Sequence, residues 1–308
     1  MHQALPKGWD GGRAEERSVS KTGAAMAIHG GAGALAGRDY SREVAHMRVL
    51  AESGRDRLVA GASALEVVVE TVAALEASGL YVAGRGASPN TAGTYELDAS
   101  VMDGASRRAG AVAALQGFAS PVRAALAVME QTPHVILAGD GAAAFAGRRG
   151  LARIEDPEAW FTRVGWDGQK TAALGVGTVG CVVRDGEGRL AAATSTGGVF
   201  NKLHGRVGDS PIPGAGVWAD DVAAVSCTGT GEMFLRAAVA AQVAHRVAFA
   251  HQSLAEAAKA ALADMKGLGG DGGLIAIGRE GDPVLPYVSQ GMKRAALLSD
   301  GTVFSGVF

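Results

Sequence analysis

Gly175-Val176-Gly177-Thr178-Val179-Gly180, running on into Cys181-Val182-Val183, is the stretch on which the reading of this 308-residue chain turns. It opens an apolar run more than halfway along the sequence. Asp185-Gly186-Glu187-Gly188 follows, and then a second apolar run over 190–195. Two such runs joined through an Asp-Gly turn predict a β-hairpin. Two further hydroxyl-and-glycine clusters lie downstream, Ala193-Thr194-Ser195-Thr196-Gly197-Gly198 and Ser226-Cys227-Thr228-Gly229-Thr230-Gly231-Glu232. Between them stands Gly205-Arg206-Val207-Gly208-Asp209-Ser210-Pro211. Three such clusters with one Arg and one Asp among them read as an acyl-transfer site whose nucleophile is a threonine.

Working outward, a strand is expected over 24–28, ending at His29-Gly30-Gly31-Ala32-Gly33. Helices follow over 42–59 and from Ser63, whose hydroxyl can cap the second one. That helix carries Leu65, Val68, Val69, Val72 and Leu75 at i, i+3, i+4 spacing, the pattern of a face buried on a sheet. A turn-rich stretch over 84–93 leads to strands at 96–103, 109–115 and 135–138, with a helix over 121–131. Residues 156–173 hold no sustained period and read as a loop or linker ending just before Thr178. Later elements are a strand at 222–226, helices at 232–248 and 253–266, and strands at 273–277, 295–298 and 302–304. Strands in groups separated by groups of helices favour layered α+β over a doubly wound sheet. No internal repeat or domain linker is evident, so 23–308 reads as one domain.

The length allows a sizeable core. Net charge is −2 with Lys and Arg scattered, which excludes a nucleic acid or anionic membrane as main partner, since phosphate binding needs a concentrated basic face. The two cysteines, Cys181 and Cys227, make no disulfide framework and read as reduced core residues. No run approaches the ~18 apolar residues of a membrane span. Residues 1–22 are polar and Gly-rich, without the apolar centre of a signal peptide, and are expected to form a disordered leader. The default location is the cytoplasm.

A threonine hydroxyl is a weak nucleophile at neutral pH and needs a base within hydrogen-bond reach. None of the seven histidines falls inside the three clusters. If the Gly177–Thr178 bond is cut, the freed α-amino group, with a pKa of about 8, can serve as base for the Thr178 hydroxyl. The unpatterned stretch ending at Gly177 suits such a cleavage site. An Arg and an Asp three apart in a turn are the pair needed to grip the zwitterionic head of an amino acid.

Thr178-Val179-Gly180, the 193–198 segment, Asn201-Lys202-Leu203, the 205–211 segment and the 226–232 segment together resemble the β-subunit of the plant-type asparaginases, also called isoaspartyl peptidases, which are N-terminal-nucleophile hydrolases. His29-Gly30-Gly31-Ala32-Gly33 and Glu96-Leu97-Asp98-Ala99-Ser100-Val101-Met102-Asp103-Gly104 look like the α-subunit landmarks of that family, in the expected order. The resemblance covers nearly everything after Ala24. It implies an αββα sandwich made as an inactive precursor that cuts itself into an α-subunit (1–177) and a β-subunit (178–308). It implies Thr178 as nucleophile, Thr196 as a second threonine tuning it, and an oxyanion hole from the Thr228 hydroxyl and the Gly229 N–H. Arg206 is expected to pair with the substrate α-carboxylate, and Asp209 with the Gly231 backbone to hold the α-ammonium. The implied substrates are L-asparagine and β-aspartyl dipeptides, and the implied assembly is a dimer of αβ units. No catalytic cofactor is expected. A structural sodium ion is implied on the backbone carbonyls of Leu75, Glu76, Ser78, Tyr81, Ala83 and Arg85.

One departure stands out: the family usually has Asn where this chain has Val82, with Asn90 as a candidate substitute. His29, Glu96, Asp98 and Asp103 read as structural. Rival readings are a relative that cleaves the asparagine–sugar link of glycoproteins, an uncleaved binding protein for aspartate-like ligands, and a generic threonine peptidase. The 228–231 segment entering a helix also suits an anion site. No Gly-Lys-Ser/Thr completes a phosphate loop, however.

Overall fold

The hairpin around Thr178 forms the centre of the molecule. In the computed structural model, which describes residues 23–164 and 176–308, β5 (Val176–Arg184) pairs antiparallel with β6 (Leu190–Val199). On the other side of β5 lies β1 (Ala25–Ala32), with His29 opposite Gly180. The sheet grows outward to β2 (Leu97–Asp103), β3 (Ala109–Leu115) and β4 (Ile136–Ala138) on one flank. On the other flank are β10 (Met292–Leu297) and β11 (Val303–Gly306). The strand order is β11-β10-β1-β5-β6-β2-β3-β4. A second sheet has the order β7-β8-β9, from β7 (Val217–Ala219), β8 (Ala223–Gly229) and β9 (Gly272–Gly278).

Helices α1 (Ser41–Val59), α2 (Ala64–Ser78), α3 (Pro121–Gln131) and α4 (Gly139–Arg148) cover one face of the large sheet. Met47, Val68, Val72, Leu75 and Val128 pack there against Ile28, Val179 and Val183. Helices α6 (Gly231–Ala237), α7 (Val239–Ala250) and α8 (Leu254–Gly267) cover the small sheet, with Phe234, Val243 and Leu262 on Val225, Leu274 and Ala276. Between the sheets, Ala27, Val182 and Ala192 meet Val217, Ala224 and Ile275. The result is the four-layer αββα sandwich expected. A short helix, α5 (Pro157–Trp160), sits in the stretch read as loop. The 1–22 segment and the approach to the proposed cleavage point lie outside the described residues.

Local chemistry sets some helix starts. Ser63 caps α2 by accepting the Glu66 N–H, and Ser253 with Glu256 closes a capping box on α8. The helix expected over 232–248 is broken instead: Ala238 adopts φ 47°, and the first free amides of α7 bond to the 214–215 turn, Ala240 N to Ala215 O and Ala241 N to Gly214 O. Helix α4 escapes sequence reading because Gly139 and Gly141 stand in its first turn, and β7 because it is three residues long. Both cysteines are buried and free, and burial pushes their thiols up. Among the described residues no helix is long and apolar enough to cross a membrane.

Candidate active site

Successive strand residues point to opposite faces, so every second residue of β5, β6 and β8 faces the gap between the sheets. Val179, Cys181 and Val183 pack on the helices, while Val182 faces the second sheet. The same alternation turns Thr178, Thr194, Thr196, Ser226 and Thr228 toward that gap, and all five are buried.

Thr178 and Thr196 are register partners across β5 and β6. The Thr178 hydroxyl donates to Thr196 Oγ1 at 3.2 Å. Thr196 Oγ1 also accepts the Gly198 N–H at 2.9 Å and donates to the Gly177 carbonyl at 2.9 Å. With both lone pairs engaged, the Thr196 proton has no other use than polarising Gly177 C=O. One side chain thus holds the Thr178 hydroxyl and the carbonyl that precedes it.

Beneath Thr178 lies His29, read as structural from sequence and placed by the fold in contact with the site. A carbonyl only accepts, so His29 Nδ1–H donates to Thr178 O at 3.0 Å. Nε2 must then be the acceptor, and takes the Ser226 hydroxyl proton at 2.9 Å. Thr194 Oγ1 lies 2.7 Å from Ser226 Oγ, and its one proton also has the Gly216 carbonyl within reach at 3.1 Å. Burial drives the His29 pKa down to about 3, with Lys293 pushing the same way against the Thr178 bond, so the imidazole stays neutral. Gly180 makes this possible, because a methyl there would overlap both Ser226 Oγ and His29 Nε2. Three residues on from His29, Ala32 N donates to Thr228 Oγ1 at 3.2 Å, leaving that hydroxyl's proton free to donate. Strand β1 therefore ties Thr178 to Thr228 across the two sheets.

Gly231 sits between Arg206 and Asp209: a Cβ there would lie 2.9 Å from Arg206 Nη2 and 3.0 Å from Asp209 Oδ1. Arg206 and Asp209 do not pair with each other. The guanidinium makes a two-pronged contact with Glu232, at 2.9 and 3.0 Å. Asp209 is buried with Oδ2 lacking any partner among the described residues, and desolvation raises its pKa to about 7, with Arg206 opposing and Glu232 and Asp98 adding to the rise. A buried carboxylate oxygen without a donor is a costly feature that a cationic ligand would satisfy.

The loop bearing Arg206 is held from below. Glu96 accepts the Gly205 N–H at 2.9 Å, and its carbonyl accepts Lys202 Nζ at 2.7 Å. Asn90 donates to Glu96 and Thr94 and accepts the N–H groups of Ala92 and Thr94. Asn90 is thereby consumed in its own turn and does not substitute at the Val82 corner. Val82 lies directly against Gly177, where a Cβ would come within 2.7 Å of Val82 Cβ. Asp98 accepts the Ala114 N–H where the chain bulges, and Asp103 closes the 103–106 turn.

The six residues proposed to offer carbonyls to sodium occupy one stretch: Leu75, Glu76 and Ser78 end α2, Tyr81 and Ala83 follow, and Arg85 lies in the 3-10 turn Gly84–Gly86. Three of these oxygens accept one protein hydrogen each, Leu75 from Ser78, Tyr81 from Ala83 and Ala83 from Gly86, while Arg85 O faces both the N–H and the hydroxyl of Thr162. Those three keep a second lone pair, so the donor set suits a hard cation that takes neutral oxygens. Among the described residues no cluster of His, Cys, Asp and Glu offers a metal site.

Residues 22–304 match the family model described as asparaginase. The chain is 45% identical to the isoaspartyl peptidase of Salmonella typhimurium, over 92% of this chain and 98% of that protein. It is 40% identical to the human isoaspartyl peptidase/L-asparaginase, over 92% and 95%. A plant-type L-asparaginase of Pyrobaculum calidifontis is 45% identical over 68% of this chain and 75% of its own length.

Proposed function

The chain belongs to the asparaginase family, and from that premise we propose that it is a self-processing amidohydrolase acting on the β-amide of L-asparagine and of β-aspartyl dipeptides through Thr178. The observation that carries this reading is the bond pair on Thr196, which joins the Thr178 hydroxyl to the Gly177 carbonyl.

In the precursor, Thr178 Oγ1 attacks the Gly177 carbonyl carbon, whose oxygen Thr196 polarises. The Gly177–Thr178 C–N bond breaks and an ester forms. Water hydrolyses that ester, leaving a carboxylate on Gly177 and a free amine on Thr178. This amine then takes the hydroxyl proton as Thr178 attacks the substrate β-carbonyl. Thr228 Oγ1–H and the Gly229 N–H receive the developing oxyanion, each such donor contributing about 10²–10³ in rate. The Thr178 ammonium passes its proton to the departing ammonia or amino acid, and water hydrolyses the aspartyl ester. Arg206 binds the α-carboxylate, exchanging Glu232 for it, while Asp209 and the Gly231 backbone bind the α-ammonium.

Leu75, Glu76, Ser78, Tyr81, Ala83 and Arg85 would hold a sodium ion through their carbonyls. When bound, the ion supplies a fixed charge that ties the end of α2 to the loop before Gly84. The assembly is read as a dimer of αβ units, located in the cytoplasm.

Intact mass of the purified protein, beside a Thr178→Ala variant, tests the proposal. Wild type splits into 1–177 and 178–308, and the variant stays whole. A wild-type chain that never splits overturns self-processing and brings forward an uncleaved binding protein.

A further inference from the structure

In the mechanism above, the Thr178 amine must hand a proton to the departing amine. The leaving group therefore lies beside Thr178 N, on the side that Gly177 occupies in the uncleaved chain. Gly177 also lines a small cavity of about 50 Å3, together with Arg38, Tyr40, Glu43, Val82 and Lys293. That volume takes a group the size of a carboxylate and no large side chain.

The cavity is cationic. The Arg38 guanidinium lies 5.6 Å and Lys293 Nζ 5.4 Å from the Tyr40 ring centre. Tyr40 is itself held by the Leu35 N–H, which donates to its hydroxyl. Among the described residues neither cation forms an ion pair or a side-chain hydrogen bond, and Glu43, the one carboxylate lining the cavity, acts on Lys293 only from a distance. Two positive groups thus face one negative one. Burial pushes Lys293 down to about 8, as expected of an ammonium that lacks its anion.

We propose that Arg38 and Lys293 form the leaving-group subsite and bind the free α-carboxylate of the amino acid released from a β-aspartyl dipeptide. This rests on the hydrolase reading. It adds that the enzyme is built for β-aspartyl peptides with a free C-terminus more than for asparagine, whose leaving ammonia carries no carboxylate. A planar guanidinium and a compact ammonium together suit a carboxylate held from two directions. The carboxylate uncovered at Gly177 on self-cleavage has the same chemistry and begins beside the same cavity.

The test compares kcat/KM for β-aspartyl-leucine and β-aspartyl-leucinamide on the self-cleaved, full-length enzyme. The free acid is expected to be favoured by about 10–100-fold, the effect of a charge-assisted contact to a half-buried ammonium. In Lys293→Met that ratio falls about tenfold, and Lys293→Arg recovers it. Arg38→Gln lowers it likewise. Equal rates for acid and amide in wild type overturn the subsite while leaving the hydrolase reading intact, and are the result expected if Gly177's own carboxylate fills the cavity. Turnover of neither compound nor of asparagine overturns the hydrolase reading instead. Should a variant fail to fold, the wild-type pair of substrates decides alone.

Discussion

At the scale of single residues, the hydrogen bonds around Thr178 can be assigned proton by proton. Thr196 has two lone pairs and one proton, and all three are assigned. Asp209 differs: among the described residues its Oδ2 is unmet, and its pKa stands at about 7 because burial disfavours its charge. A substrate ammonium requires the ionised form. KM is therefore expected to rise as pH falls from 8 to 6, by up to about tenfold per unit below the Asp209 pKa. Arg206 opposes that protonation, and Glu232 and Asp98 favour it. In Asp209→Asn, KM should be high and flat over the same range. A wild-type profile no steeper than the variant's would remove Asp209 from ammonium binding.

At the scale of elements, the helices are secured where they meet. Glu76, near the end of α2, accepts the Val122 N–H at 2.9 Å and the Ser120 hydroxyl at 2.6 Å, capping α3 from a neighbouring helix. Glu76→Ala leaves the buried Val122 amide without an acceptor and opens a void in the core. The expected cost is about 2–4 kcal/mol, measured by urea unfolding in a Thr178→Ala background so that one chain is followed. A cost under about 1 kcal/mol would mean that the amide finds another acceptor. The Ser63 cap, an element boundary set by local chemistry, was readable in the sequence. The break at Ala238 was not, because the acceptors that draw α7 out of line, Gly214 and Ala215, come from a distant turn.

At the scale of the whole molecule, the His29–Ser226–Thr194 network joins the two sheets directly under Thr178. A histidine held neutral to a pKa of about 3 has a stability signature. The unfolded chain takes up its proton near pH 6.5, the folded one does not. The contribution is complete above pH 6.5 and is lost progressively as pH falls from 6.5 toward 3, by up to about 1.4 kcal/mol per unit. Comparing Thr178→Ala with the double variant carrying His29→Gln, at pH 5 and 7.5, checks this. The double variant should be less stable at both and show the shallower pH dependence. Equal slopes would show that His29 is not held neutral.

What the sequence determined by itself is local or compositional. The hairpin over Thr178, the amphipathic face of α2, the Ser63 cap and the three Thr/Gly clusters are all written in neighbouring residues, as is the family resemblance. The tertiary structure alone decided which groups meet. His29 touches Thr178 from 149 positions away and Ser226 from 197. Arg206 faces Glu232 in place of Asp209, Asn90 spends its amide on its own turn, and Gly177 opens on Arg38 and Lys293. Short-range order follows from propensity and periodicity. The pairing of polar groups across two packed sheets depends on register and on which face each strand presents, and no run of neighbouring residues specifies that.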